Sequence, residues 1–277
     1  MKRPLSGNER LRPARAASLR AAQRERAAAL SQKRRGWDPG AVKKVGPREQ
    51  GMMFLRVALL VLRKDVAIEA KSREILFTTL FFAVSCVLVF SFAFVKQGQP
   101  LEDAAAGILW IALAFSGTLA LGRTFERERY GETLRALLLA PAPRPAIYVG
   151  KLLGIVLLLV AAEGMLVPLI ALLFQAALFD RLLLLAALLF AGTVGFSAVG
   201  TLFAAMLVGA RTRDVMLPIL LYPITIPVII AGVRGTSALL ASPADDVAAT
   251  MWLVILVCFD VVFVTLALWT FEPLMTE

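Results

Sequence analysis

Few residues in this sequence are equipped for chemistry. Histidine is absent from all 277 residues, which removes a His-based triad, a His proton shuttle and a His-ligated metal. The two cysteines, Cys86 and Cys258, lie far apart inside apolar runs. They form no CxxC pair, so no redox or zinc motif and no metal site is expected. Gly150-Lys151 is followed by Leu152, and the phosphate-cradling G-x-x-x-x-G-K-[ST] loop is missing. Any nucleotide chemistry must therefore be supplied by a partner. Two carboxylates, Glu163 and Asp260, sit within long apolar stretches. An ionisable group at bilayer depth is a functional candidate by default, and such a pair would suit ion coupling in a secondary transporter. The plainer reading is a buried hydrogen bond, which the sequence favours for both.

The most informative segment is 123–146, RTFERERYGETLRALLLAPAPRPA. It begins with Arg123, Phe125, Glu126, Arg127, Glu128, Arg129 and Tyr130. Gly131 then offers a turn before Glu132. A short apolar helix over 134–139 is expected next, presenting Leu134, Leu137 and Leu138. Pro141, Pro143 and Pro145 stop it and stiffen the return to the membrane. A short helix with a charged flank and an apolar ridge is suited to docking in the groove of a soluble partner. The plain alternative is a solvated loop with interfacial leucines.

The elements that must carry these residues follow from composition. Hydrophobic residues make up 59% of the chain and the mean hydropathy is +0.76, against about 45–50% apolar for an ordinary soluble domain. The sequence is therefore that of an all-α integral membrane protein with six spans. These are placed at 75–95, 104–122, 147–175, 182–208, 215–233 and 247–269. Helices are required because they satisfy their own backbone groups in lipid. Pro168 lies in the third span, and Pro218, Pro223 and Pro227 lie in the fifth. Each is expected to kink its helix, since each removes a backbone donor. The Gly150/Gly154 pair and the series Gly192, Gly195, Gly200 permit close helix contact.

Residues 52–74 are expected to form a separate amphipathic helix in the membrane interface. Their apolar piece, 54–62, contains Arg56 and is far short of the roughly 20 residues a span needs. A plain extension of the first span is the alternative. Residues 1–51 are Arg- and Ala-rich and lack an apolar signal core, so they are read as a basic disordered tail. A start at Met52 or Met53 is the other reading. The net charge of +10 arises entirely within the first 74 residues. No basic folded face remains for nucleic acid. Lys and Arg in the short loops set the orientation. Arg123, Arg127, Arg129, Arg135, Arg144, Lys151, Arg211 and Arg213 fall on one side, against Lys96, Arg181 and Arg234 on the other. Both termini are thereby expected in the cytoplasm of a multi-pass membrane protein.

The run Phe125…Tyr130-Gly131-Glu132-Thr133-Leu134…Leu137-Leu138-Leu139-Ala140-Pro141 resembles the cytoplasmic loop of the CcmB family, the permease subunits of the cytochrome c maturation system. Gly107-Ile108-Leu109-Trp110, Lys151, Tyr222-Pro223-Ile224-Thr225-Ile226-Pro227-Val228 and Met53-Phe54-Leu55-Arg56 are similar as well, so the resemblance covers about 52–277. Gly122 and Glu128 depart from it, where the family often carries acids of another kind or place. The resemblance implies an ABC-2-like permease working as a homodimer. It implies an ATPase partner, CcmA, which binds the ATP, and further partners CcmC, CcmD and the haem chaperone CcmE. Haem enters as possible substrate and not as a resident cofactor. The chain itself is expected not to be an enzyme. Partner ATP hydrolysis would drive haem export or release of the haem-loaded chaperone.

Overall fold

The computed structural model describes residues 47–96, 99–100, 104–130, 143–208, 210 and 212–274. Gly51–Glu277 form one compact unit. Seven helices are described: α1 (Pro47–Ser72), α2 (Glu74–Ala93), α3 (Ala105–Tyr130), α4 (Arg144–Phe174), α5 (Leu182–Met206), α6 (Arg213–Leu240) and α7 (Asp246–Leu274). Between α2 and α3, β1 (Val95–Lys96) pairs antiparallel with β2 (Gln99–Pro100). Six helices, α2 to α7, are long and apolar enough to cross a membrane. Their outer faces carry Phe77, Phe81, Phe92, Leu172, Leu183 and Trp269 in the open. Apolar exposure on that scale marks surfaces that face lipid or another apolar surface.

α3 and α5 are the most buried spans and α7 the least. α5 packs against α3, α4, α6 and α7. Its sequence explains this place: Gly192, Gly195, Ser197, Gly200, Ala204 and Ala205 let neighbours approach closely. The core has two tiers. One gathers Leu109, Trp110, Ile170, Phe174, Leu185 and Leu188. The other gathers Leu121, Phe125, Tyr148, Leu159, Phe196 and Phe271 near the opposite ends of the same helices.

The boundaries differ from the sequence expectation in three places. α1 starts at Pro47, so the polar tail yields to helix a few residues before Met52. The segment 123–130, expected as loop, continues α3 without a break to Tyr130. Arg, Glu and Thr are compatible with helix, and nothing before Gly131 interrupts it. The fifth span, expected to end at 233, runs to Leu240. Arg234 lies inside it, because a long basic side chain near a helix end can reach the polar boundary. Pro168, Pro218, Pro223 and Pro227 lie inside their helices, as the sequence places them, and the helices continue through them. The hydroxyl of Thr225 donates to the Leu221 carbonyl at 2.9 Å, an i−4 bond within α6 that keeps this hydroxyl satisfied in the interior.

α1 is a helix in its own right. Arg73 adopts a left-handed backbone, φ 54° and ψ 12°, which ends α1 and redirects the chain into α2. That conformation costs a non-glycine residue about 1–2 kcal/mol. The carboxylate of Glu69 offsets it by accepting the Leu76 N–H at 2.8 Å, satisfying a free amide in the first turn of α2.

Candidate functional site

The sequence leads to the expectation of a docking segment after the second span, and the structure describes the root of that segment. α3 carries the charged sequence outward as one helix of 26 residues, roughly 39 Å long. Phe125, grouped with the docking residues by sequence, instead points inward and is 1% exposed. It is therefore a core residue, not a surface one. Glu126, Arg127, Glu128, Arg129 and Tyr130 form the last turns of α3. Gly131, Glu132, Leu134, Leu137, Leu138 and Pro141, with the expected short helix, lie outside the described residues.

Two buried cations hold this root. Lys151 is 3% exposed and donates to Asp65 of α1 at 2.6 Å. Its Nζ also stands 5.9 Å from the Phe125 ring centroid, within cation–π range. The other oxygen of Asp65 faces Lys64 at 3.1 Å. One helical position before Lys151, Gly150 lets α1 close in. A Cβ there would meet the Ala58 carbonyl and Val61 at 2.7 Å. The second cation is Arg213 at the start of α6, also 3% exposed. Its guanidinium donates to the Gly122 carbonyl of α3. α1, α3, α4 and α6 thus meet around the root of the expected docking segment. Sequence reasoning read Arg213 only as an orientation signal and missed this bond. Its partner is a backbone oxygen 91 residues away, which no local pattern reveals.

Deeper in the bundle, Trp110 of α3 sits between Gly192 of α5 and Gly232 of α6, where any added Cβ would strike the indole. Its Nε1–H donates to Thr236 Oγ1 at 3.0 Å. Beside it the void is only about 10 Å³, room for one water at most. Tyr148 of α4 donates its hydroxyl to the Ala198 carbonyl of α5 at 2.9 Å.

The two carboxylates are not brought together into one site. Glu163 is buried on α4 and accepts a hydrogen bond from Thr193 of α5. Asp260 of α7 abuts α5 at Gly195, where a Cβ would lie 2.5 Å from its Oδ1. That oxygen has no hydrogen-bond partner among the described residues. Residues 193 and 195 are separated by about 200° around a helix, so α5 stands between the two acids. No group of three or more metal-ligating side chains occurs among the described residues.

Comparison with known proteins shows what the chain is similar to. The sequence profile of the family described as CcmB protein matches residues 56–273. The chain is 34% identical over 189 residues to heme exporter protein B of Rhodobacter capsulatus, covering 63% of this chain and 83% of that protein. It is 31% identical over 173 residues to heme exporter protein B of Paracoccus denitrificans, covering 62% and 78%. It is 27% identical over 179 residues to the protein of that name from Haemophilus influenzae, covering 65% and 79%.

Proposed function

The chain belongs to the CcmB protein family, and we propose that it is the membrane permease subunit of an ATP-driven assembly for haem export in cytochrome c maturation. In this reading two copies pair. Each engages one ATPase subunit, CcmA, through residues 126–141, and CcmC, CcmD and the haem chaperone CcmE complete the system. The membrane is the bacterial inner membrane, with both termini cytoplasmic and α1 lying along the interface.

The observation that carries this reading is the unbroken α3. A force applied beyond Tyr130 travels along one helix to Trp110, which is wedged between α5 and α6. A rod of that kind converts a partner's closure into a shift of packed spans. The void of about 10 Å³ beside Trp110 admits nothing of haem size, so haem would not pass a single chain at that point. The rival reading, an ion-coupled secondary transporter, gains little from carboxylates placed on opposite sides of α5.

The test is co-purification of the ATPase subunit with Leu137→Asp, with membrane content measured in parallel. Apolar anchors dominate such contacts, so the change should cost about 2 kcal/mol, or roughly 30-fold in affinity. Unchanged recovery of the ATPase would remove the segment from the interface and reopen the secondary-transporter reading.

A further inference from the structure

A cleft of about 430 Å³ lies where the last turns of α1, the Arg73 joint and the first turn of α2 face α4. Its mouth is charged, with Lys64, Asp65, Glu69 and Arg73, and the buried Lys151 lies beneath them. Its inner wall is apolar, with Leu76 and Phe77 from α2 and Ile155, Leu157, Leu158 and Ala161 from α4. Both acids are already engaged. Asp65 is held between Lys64 and Lys151, and Glu69 accepts the Leu76 amide. Arg73 is exposed and its guanidinium forms no ion pair with any described residue. With Lys151 counted, three cations against two acids leave the cleft with one positive charge to spare.

The proportions identify the occupant. From Lys151 to Ala161 the α4 wall rises about 15 Å, half of a hydrocarbon core about 30 Å thick. Charge gives way to apolar surface over the depth of a single leaflet. Phe77 is 61% exposed and Leu157 50%, so the wall opens sideways toward lipid and not only toward water. The lining holds no Cys, Met, Tyr or His, and an iron porphyrin would find no axial ligand there.

We propose that this cleft holds one anionic phospholipid of the adjoining leaflet, its phosphate on Arg73 and an acyl chain along Leu157 to Ala161. The lipid would fasten α1 to α2 and α4 from the outside. This assignment does not depend on what the protein transports.

The experiment uses the full chain in detergent and counts retained lipid by native mass spectrometry. Phosphatidylglycerol and phosphatidylcholine of identical acyl chains are offered at equal concentration. The wild type should retain phosphatidylglycerol about fivefold better, the scale of one cation at a charged lipid surface. Arg73→Gly removes the guanidinium while accepting the left-handed backbone, and should bring the two lipids to parity. Arg73→Lys should keep the preference. Ala161→Phe, which shortens the apolar wall, should lower retention of both. Thermal unfolding of each variant in lipid-free detergent establishes that it is folded. Equal retention of both lipids by the wild type, or an undiminished preference in Arg73→Gly, would overturn the proposal. So would displacement of the bound lipid by inorganic phosphate at millimolar concentration, which would assign the mouth to free phosphate.

Discussion

Lys151 and Asp65 show how one ion pair can decide an element's position. The ammonium is almost fully enclosed and its carboxylate partner is 17% exposed. Removing one member of such a pair leaves the other without full compensation. Lys151→Ala should therefore cost about 3 kcal/mol. The effect should be local, appearing as faster proteolysis and hydrogen exchange in α1 while the spans stay protected. Trp110 makes the complementary case. Thr236→Val keeps the volume and removes the acceptor for the indole N–H, at a cost of about 1 kcal/mol. Gly192→Val drives a methyl-bearing carbon into the ring and should cost more, on the order of 2–3 kcal/mol. Thermal unfolding in detergent, followed by Trp emission, would rank the two. A larger loss for Thr236→Val would mean that the polar bond, not the close approach, seats the indole.

At the scale of the element, α3 is the part whose stiffness matters. Replacing Arg123 and Thr124 together by Gly adjoins Gly122 and makes a three-glycine run. Each replacement weakens a helix by somewhat under 1 kcal/mol. Partner binding and ATP turnover should survive in this variant, while the yield of mature c-type cytochrome falls, because a soft joint transmits less of the stroke. Turnover and yield falling in proportion would show that the joint does not carry the stroke separately. The elements also mark what one sequence can reveal. The six spans were readable because a 20-residue apolar run admits few other structures in lipid. The separate α1 was readable from its length and from Arg56. The ends were harder. Arg234 looked like a loop residue until the helix was seen to run past it, and the charges at 123–130 looked like a loop because helix and solvated loop share that composition.

For the whole molecule, the tertiary pairs were the hidden part. Arg213 with Gly122, Lys151 with Asp65 and Trp110 with Gly192 and Gly232 join residues far apart in sequence, and no periodicity encodes them. Gly122 stood out in the sequence only as a departure from a family habit, yet its carbonyl anchors a buried arginine. Two predictions belong at this scale. The purified chain alone should show no ATP turnover, because no phosphate loop occurs in its sequence; specific hydrolysis by the isolated chain would contradict this. Six spans, an even number, would put the two ends of the helical unit on one side. Cysteines introduced at Gln50 and Glu277 should thus react with an impermeant maleimide from the same face of sealed vesicles, and labelling from opposite faces would remove one span.

The contact between α1 and α4 has a further consequence, in time. Asp65 and Lys151 are 86 residues apart. At a synthesis rate of about 5–20 residues per second, their meeting is delayed by roughly 4–17 seconds. Throughout that interval the nascent α1 has no α4 to lean on. Met52, Leu55, Leu59 and Leu60, which remain exposed in the finished fold, give it a surface that can adhere to lipid while it waits. Residues that contribute little to the final packing thus serve the order of assembly. They would keep the first helix beside the bilayer until Gly150 and Lys151 emerge to receive it.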